Sequence, residues 1–207
     1  MTKLTIISGG IRQPSSTRLL AERLEAAVRA ELDASNFEVT SSFVELRPLA
    51  HSIMDAMLTG FAAPTLAAEF DTVAGADAVI AVTPAFNVSF SGLFKSFFDV
   101  LPEETLADMP VLIAATGGTD RHSLVLEHSL RPMFSYLHAL VSPTGVYAAT
   151  DDFGAHDGAA LSQRIEKAAA DFARLVQACG PHQRRDVFAE EVSSMQQLLG
   201  NPPGNPT

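Results

Sequence analysis

The sequence predicts an α/β fold, a five-stranded parallel sheet with helices on both faces. Three observations point there. Short apolar runs alternate along the chain with longer helical patterns. Two of the runs, Ala78–Thr83 and Val111–Ala115, are apolar throughout, which suits central parallel strands covered on both sides. Three runs end at Gly or Pro shortly before a helical pattern begins, the punctuation of a strand-to-helix turn.

In chain order, Leu4–Ser8 is the first strand and ends at Gly9-Gly10. A loop with Pro14, Ser15 and Ser16 leads into a helix marked by Leu20, Leu24, Ala27, Val28 and Leu32. Phe37–Leu46 reads as the second strand, from its β-favouring residues and partial alternation. His51–Pro64 reads as an irregular excursion, and Leu66–Val73 as a helix. The third strand closes at Pro84, the fourth at Thr116-Gly117-Gly118, and Leu140–Tyr147 supplies the fifth. Helices are expected after these at about 92–101, 121–139 and 158–179. In the middle one, Pro132 interrupts the stripe Leu126, Leu130, Met133, Phe134 and Leu137. Its ring removes a donor and meets the carbonyl of His128, which predicts a kink or π-type bulge over 128–132. Residues 1–180 are expected to form the ligand-binding domain. Residues 181–207 are expected to add a short amphipathic helix (Val187, Phe188, Val192, Met195, Leu198, Leu199) and a disordered, turn-rich tail from Gly200.

The 207 residues are 47% hydrophobic and 18% charged, the balance of a globular core. A formal net charge of −10 argues against nucleic acid and anionic membranes as partners. A local arginine beside a helix N-terminus can still hold an anion. The one cysteine, Cys179, excludes an internal disulfide and suits the reducing cytoplasm. It continues the helical stripe of Leu161, Ile165, Ala168, Phe172 and Val176, which predicts a buried, inert thiol. No apolar run reaches membrane length, and the few apolar residues before Gly9 are too short for a signal peptide. The six histidines include no pair at metal-ligand spacing with a third ligand, so no metal is expected.

Ligands of such sheets sit beyond the carboxyl ends of the strands, near the point where strand order reverses. The loops after the first, third and fourth strands are therefore the candidates. In the first, Gly9 and Gly10 let backbone approach a ligand, and Ser15, Ser16 and Thr17 offer hydroxyls at a helix start. Arg12 adds a planar cation suited to phosphate. A capped helix with a solvated arginine gives the same residues. The loop has neither the Gly-Lys-Ser/Thr of a Walker loop nor Gly-x-Gly-x-x-Gly, which favours a mononucleotide phosphate over a dinucleotide pyrophosphate. In the second loop Pro84, Ala85, Phe86 and Asn87 precede a helix whose Phe94, Phe97 and Phe98 have core spacing. Phe86 and Phe90 suit either core or ligand contact. In the third, Thr116, Gly117 and Gly118 free backbone amides for the polar edge of a ring, while Thr119 or Asp120 could cap the next helix.

Together the loops resemble the NAD(P)H-dependent FMN reductases of the flavodoxin-like superfamily. The segment Pro84-Ala-Phe-Asn-Val-Ser-Phe-Ser-Gly-Leu-Phe-Lys-Ser-Phe-Phe-Asp99 is similar to the family's Pro-Glu-Tyr-Asn-Gly-Ser-x-x-Gly-x-x-Lys-x-x-x-Asp. The first loop resembles Gly-Ser/Thr-x-Arg-x-x-Ser-x-Asn. The stretch Ala115–His122 with Glu127–Pro132 resembles the branch that supplies reduced flavin to two-component monooxygenases. The resemblance implies a flavodoxin-like three-layer sandwich with strand order 2-1-3-4-5 and the cofactors FMN and NAD(P)H. It also implies a homodimer or homotetramer joined through the helix holding Pro132. Arg12, Ser15, Ser16 and Thr17 would hold the phosphate, Pro84, Ala85, Phe86 and Asn87 would border the isoalloxazine, and Thr116, Gly117 and Gly118 would meet its pyrimidine side. The chain departs from the pattern at Gly10, at Ala85-Phe86 and at Thr17. Hydride transfer between two cofactors needs no catalytic side chain. Competing readings are an FMN-retaining reductase of quinones, azo dyes or metal oxyanions, a non-enzymatic electron carrier, and a sensor with a vestigial site.

Overall fold

The computed structural model describes residues 1–154, 158–182 and 195. Its elements are β1 (Thr2–Ser8), α1 (Ser16–Ala34), β2 (Val39–Glu45), α2 (Leu46–Thr59), α3 (Pro64–Ala74), β3 (Ala78–Phe86), β4 (Ser89–Phe90), α4 (Gly92–Val100), β5 (Pro110–Gly117), α5 (Arg131–Tyr136), β6 (Leu140–Val141), β7 (Val146–Ala149) and α6 (Gly158–Cys179). A 3-10 turn at Asp120–His122 and a π-helical turn at Leu126–Leu130 precede α5.

The sheet runs β2-β1-β3-β5-β6, with β7 also on β5, and every one of these pairings is parallel. Successive side chains of each strand point to opposite faces, so its apolar runs fill two cores at once. Ile7, Val79, Ala81, Val111 and Ile113 pack beneath α2, α3, α4 and α5. Their neighbours Ile6, Ile80, Val82, Leu112 and Ala114 pack beneath α1 and α6. That is the three-layer arrangement expected, in the expected order once β6 and β7 count as one interrupted strand.

Four of the elements differ from the sequence reading. Residues 46–59 are helical, not an irregular excursion. Pro48 lies in the first turn, where a missing N–H costs nothing, and Gly60 at φ 78° ends the helix. The fifth strand is broken. Val141 pairs Val111 and Val146 pairs Ala114, so five steps on one strand face three on the other. The surplus sits at Ser142–Gly145, where Pro143 has no N–H for the ladder. Third, β3 does not stop at Pro84. Ala85 and Phe86 turn back onto Phe90 and Ser89 of β4 in an antiparallel hairpin. Fourth, the helix expected over 121–139 is only α5, preceded by the 3-10 and π turns. Neither Thr119 nor Asp120 caps it, since the 3-10 turn has no side-chain cap. The π turn itself lies where Pro132 predicts an irregularity.

Cys179 is exposed at the end of α6, because the buried stripe stops at Val176. Partial burial and the carboxylate of Asp108 push its pKa up, which keeps it a thiol. The short helix and tail expected over 181–207 lie outside the described residues, apart from 181, 182 and 195.

Candidate functional site

The three candidate loops converge at the carboxyl edge of β1, β3 and β5. Gly9 N–H donates to the carbonyl of Val82 at 2.8 Å, which ties the start of the first loop to β3. A Cβ at Gly9 would stand 3.0 Å from Phe94, and one at Gly10 would collide with Ser15 Oγ. These two positions admit no side chain without movement, so the loop folds tightly over α4 and then over the start of α1.

Ser15 is the N-cap of α1, its hydroxyl accepting from Arg18 N–H at 3.1 Å. The N–H groups of Ser16 and Thr17, in the first turn, have no protein partner among the described residues. They are the donors this helix start offers an anion. Ser16 is exposed and Ser15 half-buried. Thr17 is buried, and its hydroxyl is hydrogen-bonded to Thr116 Oγ1 at 2.8 Å, so what it leaves for a ligand is its backbone. Arg12 is exposed and makes no hydrogen bond or ion pair among the described residues. Ser8, at the end of β1, is fully buried with an unpartnered hydroxyl.

On the neighbouring strands, Pro84 is buried, Ala85 half-buried, and Phe86 and Asn87 exposed. Asn87 and Val88 both have positive φ, 49° and 66°, the two-residue turn that joins β3 to β4. Thr83 Oγ1 accepts from Ser91 N–H at 3.2 Å and fixes the return of the hairpin. Phe90 packs on the core beside Phe94, while Phe86 is 42% exposed and free for a ligand face. Gly117 lies under Tyr147, whose hydroxyl donates to the Thr119 carbonyl at 2.6 Å, whereas Gly118 faces open space. Burial, then Asp120 and Asp152, raise the Tyr147 pKa, so it stays a neutral donor.

The sequence reading missed one side of this edge. A cavity of about 580 Å³ opens on the β2 side of the first loop. Gly10, Arg12, Gln13 and Ser15 line it from that loop, Arg18 from α1, and Glu45, Arg47 and Pro48 from the β2–α2 junction. Arg18 is committed there: it donates to Glu22 and Glu45, and its guanidinium lies 3.8 Å from the centroid of the Phe43 ring. The signal was available, since β2 also ends at the carboxyl edge next to β1. Tyr147 was likewise missed, because nothing near it in sequence marks it as the support of Gly117.

Comparison with known proteins places this edge in context. Residues 2–154 match the family described as NADPH-dependent FMN reductase. The chain is similar to the NADH-dependent FMN reductase SfnE of Pseudomonas putida, 38% identical over 178 residues that cover 85% of this chain and 91% of the relative. It is 40% identical to an FMN reductase (NADPH) of Pseudomonas aeruginosa over 151 residues, 73% of this chain and 78% of that one. Among solved structures, an oxidoreductase from Corynebacterium diphtheriae superposes with a TM-score of 0.82 at 43% identity, covering 86% of this chain and 98% of its own.

Proposed function

The chain belongs to the NADPH-dependent FMN reductase family and is an NAD(P)H:FMN oxidoreductase, and on that premise we propose that FMN binds across the three loops as an exchanging substrate. The observation that carries the joint site is the Thr17–Thr116 hydrogen bond, which ties the phosphate-type loop to the ring-type loop, while the small residues Gly10 and Ala85, which give up ligand contacts, favour exchange.

The residues present fit such a group. A Cβ at Gly10 would collide with Ser15, two amides in the first turn of α1 have no partner among the described residues, and the space beside Gly118 is open. FMN, when bound, supplies the chemistry by accepting hydride from the nicotinamide. Arg12, Ser15, Ser16 and the Thr17 backbone hold the phosphate by charge and hydrogen bonding. Pro84, Ala85, Phe86 and Asn87 border the ring and exclude water. Thr116 and Gly117 end the β5 ladder at the ring edge, and Gly118, the first residue beyond it, offers its backbone N–H where negative charge grows. No side chain is assigned as acid or base.

The likeness to NADH-dependent FMN reductases supports a role in delivering reduced FMN to a flavin-dependent monooxygenase. A homodimer or homotetramer is supported by Leu124 and Tyr136, 60% and 84% exposed on either side of the π turn. A single cysteine suits a cytoplasmic setting.

Steady-state oxidation of NADH and NADPH against added FMN tests the reading. The purified protein is expected to be colourless, with a rate that starts near zero and saturates with FMN. A yellow protein with stoichiometric FMN, whose rate ignores added FMN, would replace it with a reductase that retains its flavin.

A further inference from the structure

The β2-side cavity has a charge pattern that the loop motifs do not explain. Its lining holds three arginines and one glutamate. Arg18 and Glu45 neutralise each other, and stacking on Phe43 holds the Arg18 guanidinium in place. Arg12 and Arg47 come from different elements, the first loop and the first turn of α2. Both are exposed, and neither has a hydrogen-bond or ion-pair partner among the described residues. One wall of the site thus presents two uncommitted guanidinium groups, on a chain of net charge −10.

Like charges facing one cavity repel each other unless an anion joins them. A phosphate monoester brings roughly −1.5 to −2 charges at neutral pH, which balances two arginines. The cavity also lies on the correct side. In the order β2-β1-β3-β5, the ring loops follow β3 and β5, while Arg47 approaches the first loop from β2.

We propose that Arg47 is a second phosphate-binding residue, clamping the FMN phosphate opposite Arg12 and making the site selective for phosphorylated flavin. The proposal rests on the flavin site described above. Arg47 follows a different strand, so no local motif contains both residues. Glu45 acts as a positioning residue. Its carboxylate is bonded to Arg18, not to Arg47, which leaves Arg47 for the ligand.

The test measures FMN and riboflavin binding to the full chain by flavin fluorescence, together with KM and kcat, in the wild type, Arg47→Gln and Arg174→Gln. Arg174 is an exposed residue on α6, ion-paired to Asp171 and absent from the cavity lining, and controls for the loss of one positive charge away from the site. Arg47→Gln is expected to weaken FMN binding about tenfold, the scale of one charge-assisted contact, with kcat kept and riboflavin moved less than about twofold. Arg174→Gln is expected to change neither. Equal losses for FMN and riboflavin, no loss for FMN, or the same loss in Arg174→Gln overturns the clamp. If wild-type turnover ignores added FMN, the substrate reading fails separately, and the binding titration still decides the clamp.

Discussion

Thr17 and Thr116 share a buried hydrogen bond of 2.8 Å although they are 99 residues apart in the chain. One hydroxyl donates to the other beneath the surface where two loops meet. Thr116→Val keeps the shape and leaves the Thr17 hydroxyl buried without a partner. It is expected to destabilise the protein by about 1–3 kcal/mol in urea unfolding. Thr17→Val/Thr116→Val removes both hydroxyls, so its cost falls well below the sum of the single variants. An additive double variant would show that the two groups do not act as a pair.

Gly117 and Gly118 are adjacent but have opposite surroundings. A Cβ at Gly117 would collide with the Tyr147 hydroxyl, which holds the Thr119 carbonyl. Gly117→Ala therefore displaces Tyr147 and is expected to cost about 1–3 kcal/mol. Gly118→Ala meets nothing within 4 Å and should leave stability within about 0.5 kcal/mol. A rise in FMN KM in that variant then reports ligand contact rather than damage.

Tyr147 also predicts a pH effect. Its pKa is raised in the folded state, so the unfolded chain ionises first as pH rises through about 10. The stability that comes from its neutral form is present below pH about 10 and is lost above it. Thermal unfolding from pH 9 to 11 should show a smaller decline in Tyr147→Phe than in the wild type.

Val88 has φ 66° in the turn between β3 and β4, a conformation a β-branched residue adopts at a cost of about 1–2 kcal/mol. Val88→Gly removes that strain and gives back part of it as unfolded-state entropy. A gain of up to about 1 kcal/mol is expected, read as a raised melting temperature. A lowered melting temperature would mean that the exposed valine makes a contact worth more than the strain.

The same valine explains a limit of the sequence reading. A two-residue hairpin turn is usually announced by Asn-Gly, and here it is Asn87-Val88, so β4 left no trace. The parallel strands were legible because their runs are buried on both faces, as Val79, Ile80, Ala81 and Val82 are. Helix α2 was not, because exposed Met54, Met57, Leu58 and Phe61 blur the spacing of its buried Leu46, Ile53 and Ala56. At the site, Arg12 and Ser15 could be read from one loop. The placing of Arg12 and Arg47 on one cavity, or of Gly117 under Tyr147, depends on strand order, which local pattern does not contain.

Arg131 anchors the π turn to the broken strand. It donates to both carboxylate oxygens of Glu127 and to the carbonyls of Ser142 and Pro143, at 2.9 and 3.2 Å for the latter two. Arg131→Met should cost about 1–3 kcal/mol, since it strips charge-assisted donors from these groups. The hydrogen bond from Arg131 holds the Glu127 pKa below its usual value. That contribution is present above the ordinary carboxylate pKa and fades as pH falls below about 4.5. The gap in stability between wild type and Arg131→Met should therefore narrow in acid, and a gap that stays constant from pH 6 to 3 would contradict the pairing.

Gly10 decides whether flavin affinity can be raised simply by restoring the pattern of the family. Where relatives of the motif have Ser or Thr, a hydroxyl at this position would add a phosphate contact and slow release. In this chain the space is already taken, because a Cβ at Gly10 falls on Ser15 Oγ and within 3.3 Å of Thr17 Cβ. Ser15 cannot move freely, since its hydroxyl caps Arg18 N–H. Gly10→Ser is expected to drive Ser15 off the cap, cost about 1 kcal/mol of stability, and weaken FMN binding rather than tighten it. Gly10→Ser/Ser15→Gly makes room for the new hydroxyl at a capping loss of only a few tenths of a kcal/mol. That double variant should bind FMN more tightly than Gly10→Ser alone. Fluorescence titration with FMN, alongside melting temperatures, reads both effects. If Gly10→Ser alone binds FMN more tightly and purifies yellow, the loop has slack that the Ser15 contact denies. Weak flavin retention would then follow from the missing hydroxyl alone.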